Sequence, residues 1–443
     1  MNHQHRISLQ RLLFHLLLLL QTSWTFNSLH IRISRHDSTP SSSRRHRFAA
    51  ASAATAATAA KASSEQDNTQ SNQDDIEIID RSTLTLLEHV NFNIPTQELA
   101  VPFYYDILGC GVDPRMASNV APDTTVKENP ELFDSTIWAN CGASQFHLCL
   151  NDHTPATIPG RIGLRYDSLE GLEQRLNDEV LQVLSENGSK QCFQSFIQER
   201  DSQGNPQFTI VDRYSNIFVC RQVSNDVLSP SSPIMSLNQP ILSKTETGPW
   251  KELGEKYGTS ESDCRGIDYV EIPVKPKQAE KIAEFYESVF DATANVVPQR
   301  PIPGMPDTVS HLNIAMIAVG SILSTGRADQ YLLFKEEEQQ QQPAHAGASN
   351  SIPLLQAGHH HLALYVGESD GDFDQAYKNA EQAGVIWINP RFEDKVDTLA
   401  EAQKEKQFRF KNIVDLETGE PMLELEHEIR SINHPSWPGR SQD

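Results

Sequence analysis

Four residues of this chain have side chains suited to holding a divalent cation or moving a proton: His89, His147, His361 and Glu424. Each lies in a stretch that alternates in hydrophobicity, and in a strand residues two apart share a face. Val90, Phe92 and Ile94 take one face of the first stretch, which leaves His89, Asn91 and Asn93 on the other. Phe146, Leu148 and Leu150 likewise oppose Gln145, His147 and Cys149. Leu362, Leu364 and Val366 oppose His361, Ala363 and Tyr365, and Leu423 and Leu425 alternate with Glu424 and Glu426. All four residues therefore stand on the polar sides of their strands. Each alone also reads as structural. A strand-lining histidine can bond to neighbours such as Asn91 or Asn93, His361 closes a run of three histidines, and Glu424 opens an acidic stretch through Glu428 where solvated carboxylates are common.

The elements that position them recur. Residues 88–94, 161–166, 269–274 and 361–366 alternate in the same way, and each is followed within a few residues by a helix-like stretch. A repeat of roughly 70 to 100 residues indicates stacked copies of one supersecondary unit. Module one spans 84–151, with a helix at 97–108 and a last strand at 144–150. Module two starts at 161, with a helix near 169–184 and strands at 192–198, 208–211 and 212–220. Module three opens at 269, with a helix at 277–290 and a last strand at 330–334. Module four opens at 361, with a helix near 373–383 and a closing stretch at 415–426. Phe103-Tyr104 of module one is echoed by Phe285-Tyr286 of module three. Modules two and four share an aspartate, a turn and then a strand. A two-module unit duplicated in this way gives domains at 84–223 and 262–430. A Ser/Pro/Asn-rich linker at 224–261 joins them, and a tail follows at 431–443.

Composition sets the outer limits. The chain has 443 residues and a net charge of −22. Residues 12–20 form an apolar run behind Arg6 and Arg11, so 1–22 read as a signal peptide. Residues 23–80 read as a transit-like and disordered segment, rich first in Ser, Ala and Arg, then polar and acidic. The combination resembles the bipartite presequences of algae with secondary plastids and predicts a plastid location; plain secretion is the alternative. Through residue 62 there are eight Lys/Arg and one acid, so removing that +7 from −22 leaves the remainder at −29. So acidic a body argues against nucleic-acid binding, which needs clustered Lys/Arg. No later run approaches the length of a membrane span. Cys110, Cys141, Cys149, Cys192, Cys220 and Cys264 form no CxxC pair and read as buried, reduced thiols. The chain contains no G-x-S-x-G, and no cysteine has sequence support as a catalytic thiolate.

The βαβββ repeat, the Phe-Tyr helix and the aspartate-turn-strand ending resemble the vicinal oxygen chelate superfamily. Its members include glyoxalase I, extradiol dioxygenases, methylmalonyl-CoA epimerases and bleomycin-resistance proteins. The resemblance covers most of 84–430. It implies an α+β fold in which four βαβββ modules form two barrels, with the polar strand faces concave. It also implies metal ligands at the first and last strands of paired modules. Carried over residue by residue, module one offers His89 and His147, and module four offers His361 and Glu424. Module two offers Arg161 and Val219, and module three Tyr269 and Leu332, which are poor ligands. If module one pairs with module four, a single cavity gathers His89, His147, His361 and Glu424 around one divalent metal: Fe, Zn, Ni or Mn. If adjacent modules pair, each domain holds half a site.

The resemblance implies a glyoxalase- or dioxygenase-like metalloenzyme that takes a small oxygen-rich substrate directly on the metal, with Glu424, or else Glu426, as base. Lyase or isomerase chemistry comes ahead of dioxygenation, because Tyr269 stands where the dioxygenases carry a histidine. The alternative is a non-catalytic small-molecule binding protein that has lost its metal, in keeping with Arg161, Val219, Tyr269 and Leu332. Arg161 and Arg165 read either as holding an anion or as charge partners in an acidic protein.

Overall fold

The computed structural model describes residues 78–112, 136–142, 144–150, 157–185, 191–201, 204–222, 263–299, 311–323, 328–338, 360–390, 395–435 and 437. The expected signal peptide, the transit-like segment up to residue 77 and the linker lie outside these. The last residues of the expected spacer are a strand, β1 (Ile78–Arg81), which pairs antiparallel with a strand of module three.

Module one contributes β2 (Leu84–Ile94), β3 (Gly111–Val112), β4 (Thr136–Cys141) and β5 (Ser144–Leu150). Module two contributes β6 (Arg161–Tyr166), β7 (Phe193–Arg200), β8 (Pro206–Asp212) and β9 (Ile217–Gln222). Module three contributes β10 (Cys264–Val274), β11 (Ala294–Pro298), β12 (Asn313–Leu323) and β13 (Ala328–Glu336), and module four β14 (His360–Val366), β15 (Gln407–Val414) and β16 (Pro421–Ser431). In module four an isolated bridge from Ile386 to Phe410 takes the place of a further strand.

The sheets cut across chain order. One runs β1-β12-β13-β10-β6-β9-β8-β7, with β11 also on β12, and joins modules three and two. The other runs β15-β16-β14-β2-β5-β4-β3 and joins modules four and one. We refer to these as sheet one and sheet two. At each seam the opening strands of two modules pair antiparallel, β10 with β6 and β14 with β2. Each opening strand also pairs parallel with the last strand of its own module, as β2 does with β5 and β14 with β16. Each sheet thus takes one module from 84–223 and one from 262–430.

The helices occupy one side of each sheet. They are α1 (Gln97–Val101), α2 (Glu170–Ser185), α3 (Ala279–Phe290), α4 (Asp370–Gln382) and α5 (Leu399–Glu405). The α1 helix widens into a π-helical segment, Pro102–Ile107, where proline has no N–H to continue the α ladder. The α4 and α5 helices start in capping boxes, Ser369 with Asp372 and Thr398 with Glu401, which satisfy otherwise orphaned backbone donors.

The echoed Phe-Tyr pairs sit in the core. Phe103 and Tyr104 meet Phe218, and Phe285 meets Phe410. The Tyr286 hydroxyl lies 2.6 Å from His427 Nε2. The shared aspartate turns have a local cause. Asp212 Oδ1 accepts from the backbone N–H groups of Tyr214 and Asn216, and Asp415 Oδ1 accepts from that of Glu417, so each carboxylate folds the chain back into a closing strand. With the apolar strand faces committed to the helices, the other face of each sheet, the far face, carries the alternate residues.

Candidate metal centre

Strand register lays the far face of sheet two out in rows. One row reads Arg409, Glu428, Ala363, His89, Gln145, Asn140 across six strands. The next reads Glu426, His361, Asn91, His147, Trp138. Ala363, between Glu428 and His89, has no side chain beyond Cβ, and the space above it is where the longer neighbours converge. His89 Nε2 and His361 Nε2 lie 3.0 Å apart, and Glu428 Oε2 is 3.6 Å from His361 Nε2. These three residues are buried, and each offers one ligand atom within 4.8 Å of the others.

Buried carboxylates and guanidiniums fix this group. Glu88 Oε2 lies 3.0 Å from His89 Nδ1. A bulge makes that contact possible: Ala363 pairs with His89 and Leu364 with Leu87, so Glu88 is the extra residue on β2 and turns to the side of His89. Arg430 bridges Glu88 and Glu428, and Arg409 Nη2 holds Glu428 Oε2 at 2.5 Å. Arg409 also reaches Glu426 Oε1 at 3.3 Å, which accepts from Asn389 Nδ2 at 2.8 Å.

Protonation follows from burial and neighbours. Burial alone would raise the Glu428 carboxyl, but Arg430 and Arg409 outweigh it and hold the group well below its usual range. Glu88 is likewise lowered, burial being overcome by Arg430 and the bond to His89. His89 is lowered, chiefly by burial, despite the pull of Glu88. The pair is therefore a neutral imidazole donating Nδ1–H to an anionic Glu88, which leaves the Nε2 lone pair facing His361. A carboxylate behind a histidine is the usual way of orienting a metal-ligating imidazole.

Two of the four sequence candidates, His89 and His361, meet here. His147 lies alongside with its ring flat against His89, the centroids 3.7 Å apart at 21°, and its Nε2 is 2.9 Å from Gln145 Oε1. Trp138 continues the stack at 5.0 Å. Burial, then the neighbouring His89, holds His147 well below its usual range. Glu424 stands two rows from Glu428 in a partly exposed pair with Lys411 at 3.5 Å, and the carboxylate beside the histidines is Glu428. Alternation places Glu424, Glu426 and Glu428 on one face but does not say which row meets the histidines; the pairing of Ala363 with Glu428 decides it. Glu88, Arg409 and Arg430 were not singled out from the sequence. Strict alternation assigns Glu88 to the opposite face from His89, and only the bulge reverses this.

Two imidazole nitrogens and an anionic carboxylate are a donor set for a divalent first-row cation. A spacing of 3.0 Å between the nitrogens suits two ligands on one ion with bonds of about 2.0–2.1 Å. The residues present fit a metal.

Arg161 and Arg165 behave as charge partners. Arg161 Nε lies 3.9 Å from Glu271, and Arg165 Nε lies 3.7 Å from Asp268. Among the described residues no helix is long and apolar enough to cross a membrane.

The chain matches no protein-family model and no curated protein sequence. Among solved structures it is similar to a mutant of glyoxalase I from Zea mays, at 11% identity and a TM-score of 0.41, over 79% of this chain and 94% of that one. It is also similar to 2,2',3-trihydroxybiphenyl 1,2-dioxygenase from Sphingomonas wittichii, at 13% identity and a TM-score of 0.21, over 79% and 90% of the two chains. A third match is a mutant of the fosfomycin resistance protein FosX from Listeria monocytogenes complexed with Mn(II), at 12% identity and a TM-score of 0.20, over 37% of this chain and 90% of that one. All three are members of the vicinal oxygen chelate superfamily. Such likeness concerns fold alone, and the α+β architecture of paired βαβββ modules is visible in this chain's own strand order.

Proposed function

We propose that this chain is a metal-dependent enzyme acting on a small oxygen-rich molecule at the His89, His361 and Glu428 centre. The observation that carries the reading is the convergence of two imidazole nitrogens and one carboxylate over Ala363. A divalent cation held there supplies Lewis-acid polarisation of a substrate oxygen. Glu88 keeps the His89 proton on Nδ1, so Nε2 stays available as a donor. Arg409 and Arg430 keep Glu428 anionic. Glu426, paired in register with His361, is the carboxylate we assign to proton transfer at the substrate. A carboxylate in that position suits lyase or isomerase chemistry better than dioxygenation.

The test is metal content of the purified chain by elemental analysis, with His361→Ala and Glu428→Ala beside it. About one Fe, Zn, Ni or Mn per chain is expected in the parent, with retention lost in both variants. A parent that holds no metal even after reconstitution would move the assignment to a non-catalytic binding protein of the same fold.

A further inference from the structure

The far face of sheet one has a different finish. Val219, Tyr269 and Leu333 are buried there as a small apolar cluster separate from the main core, and Ile314, Met316 and Tyr331 pack against it while only partly covered. They come from β12, β13, β10 and β9, with β6 lying between the last two, and share one side. Val270, Leu332 and Phe334, their neighbours in sequence, belong to the core under the helices. Tyr269 lies across the seam because its partner is Gly163: a Cβ at Gly163 would stand 2.2 Å from the Tyr269 ring.

One polar group interrupts this surface. Glu271 is two residues beyond Tyr269 on β10, between Leu333 of β13 and Arg161 of β6. Its residue exposure is 4%, and its Oε2 has no hydrogen-bond partner. Oε1 faces Arg161 Nε at 3.9 Å, beyond hydrogen-bond range. A buried carboxylate oxygen with no donor is costly and uncommon, so such a group needs a reason. An apolar floor beside one unmet acceptor is the composition of a small-molecule site.

We propose that the far face of sheet one is a second, metal-free binding site for a small, neutral, apolar molecule carrying one hydroxyl donor, of the phenol class. The ring would lie on Leu333, Met316 and Tyr269, and its hydroxyl would donate to Glu271 Oε2. A neutral donor is favoured over an ammonium group because Arg161 and Lys335 already flank Glu271, and their combined charge repels a cation. The site is independent of the metal centre, since none of its residues belongs to sheet two.

The experiment is fluorescence titration of the full chain with 2-naphthol, and with naphthalene as the probe lacking the hydroxyl, in the presence and absence of a chelator. Naphthol should bind more tightly than naphthalene, and the chelator should change neither. Glu271→Leu should weaken naphthol about tenfold while leaving naphthalene bound, which also reports that the variant is folded. Glu271→Gln, which keeps an acceptor oxygen, should retain most of the affinity. Leu333→Trp should block both probes by filling the floor. The proposal is overturned if the parent binds no naphthol, if Glu271→Leu binds it as tightly as the parent, or if the chelator abolishes binding and so places the probe at the metal centre.

Discussion

At the seam of sheet two, β14 and β2 bring His361 and His89 to the far face; at the seam of sheet one, the matching positions of β10 and β6 carry Tyr269 and Arg161. The registers correspond. His361 pairs with Asn91 and Ala363 with His89, just as Tyr269 pairs with Gly163 and Glu271 with Arg161. Two sheets with the same seam thus differ at a few positions. In sheet two the small residue, Ala363, opens a gap that longer donors close upon. In sheet one the small residue, Gly163, lets an aromatic ring lie flat across the seam. The backbone supplies a frame with pairs of inward positions, and the choice of small residue decides whether a frame collects polar donors or is covered by apolar surface. Charge follows the same division: buried Glu88 and Glu428 in sheet two are anionic beside paired guanidiniums, whereas burial raises Glu271 in sheet one.

The largest effect that would sharpen this contrast is on metal affinity. Glu88→Gln keeps the size of the side chain but removes the charge that holds the His89 proton on Nδ1. Affinity for Zn or Mn, measured by calorimetry, should fall about 10–100-fold. Glu271→Gln on the other sheet should leave it unchanged. Equal affinities in Glu88→Gln and the parent would mean that the carboxylate does not orient the imidazole.

A second effect, on stability, separates the two small residues. Gly163→Ala drives a methyl group into the Tyr269 ring and should cost about 1–3 kcal/mol in urea unfolding. Ala363→Gly, which enlarges a gap instead of filling it, should cost only about 0.5–1 kcal/mol. The reverse order would show that the Tyr269 ring swings aside easily and that sheet one is as open at its seam as sheet two.

How much of this was legible in the sequence depends on range. Alternation is local, so the far-face positions of His89, His147 and His361 could be read directly, and so could the shared face of Glu424, Glu426 and Glu428. The repeat gave four modules because Phe103-Tyr104 and Phe285-Tyr286 echo each other. Which modules share a sheet is decided by pairing between residues far apart in the chain, and the sequence left both arrangements open. The row in which a carboxylate meets the histidines is a matter of register between β14 and β16, so alternation alone does not separate Glu424 from Glu428. Glu88 was hidden for another reason. A one-residue bulge breaks the alternation on which the reading relied, and nothing in the residues around it announces one. Pro102 did carry a signal that the module-one helix departs from α geometry.

The smallest effect is a pH slope peculiar to sheet one. Burial, only partly offset by Lys335 and Arg161, raises the Glu271 carboxyl above its ordinary 4.5. A carboxyl whose folded value is raised binds its proton more tightly in the folded state. Its contribution to stability is full below the unfolded value and declines as pH climbs through the folded one. Glutamine at this position has no proton to lose. The stability of Glu271→Gln relative to the parent should therefore rise as pH climbs from the ordinary carboxyl value of 4.5, and level off once the folded carboxyl has ionised. Urea unfolding at several pH values measures it. A flat difference would mean that Glu271 is as well solvated or paired as in the unfolded chain, and that its free oxygen is not the unmet acceptor that distinguishes this face from the metal-binding one.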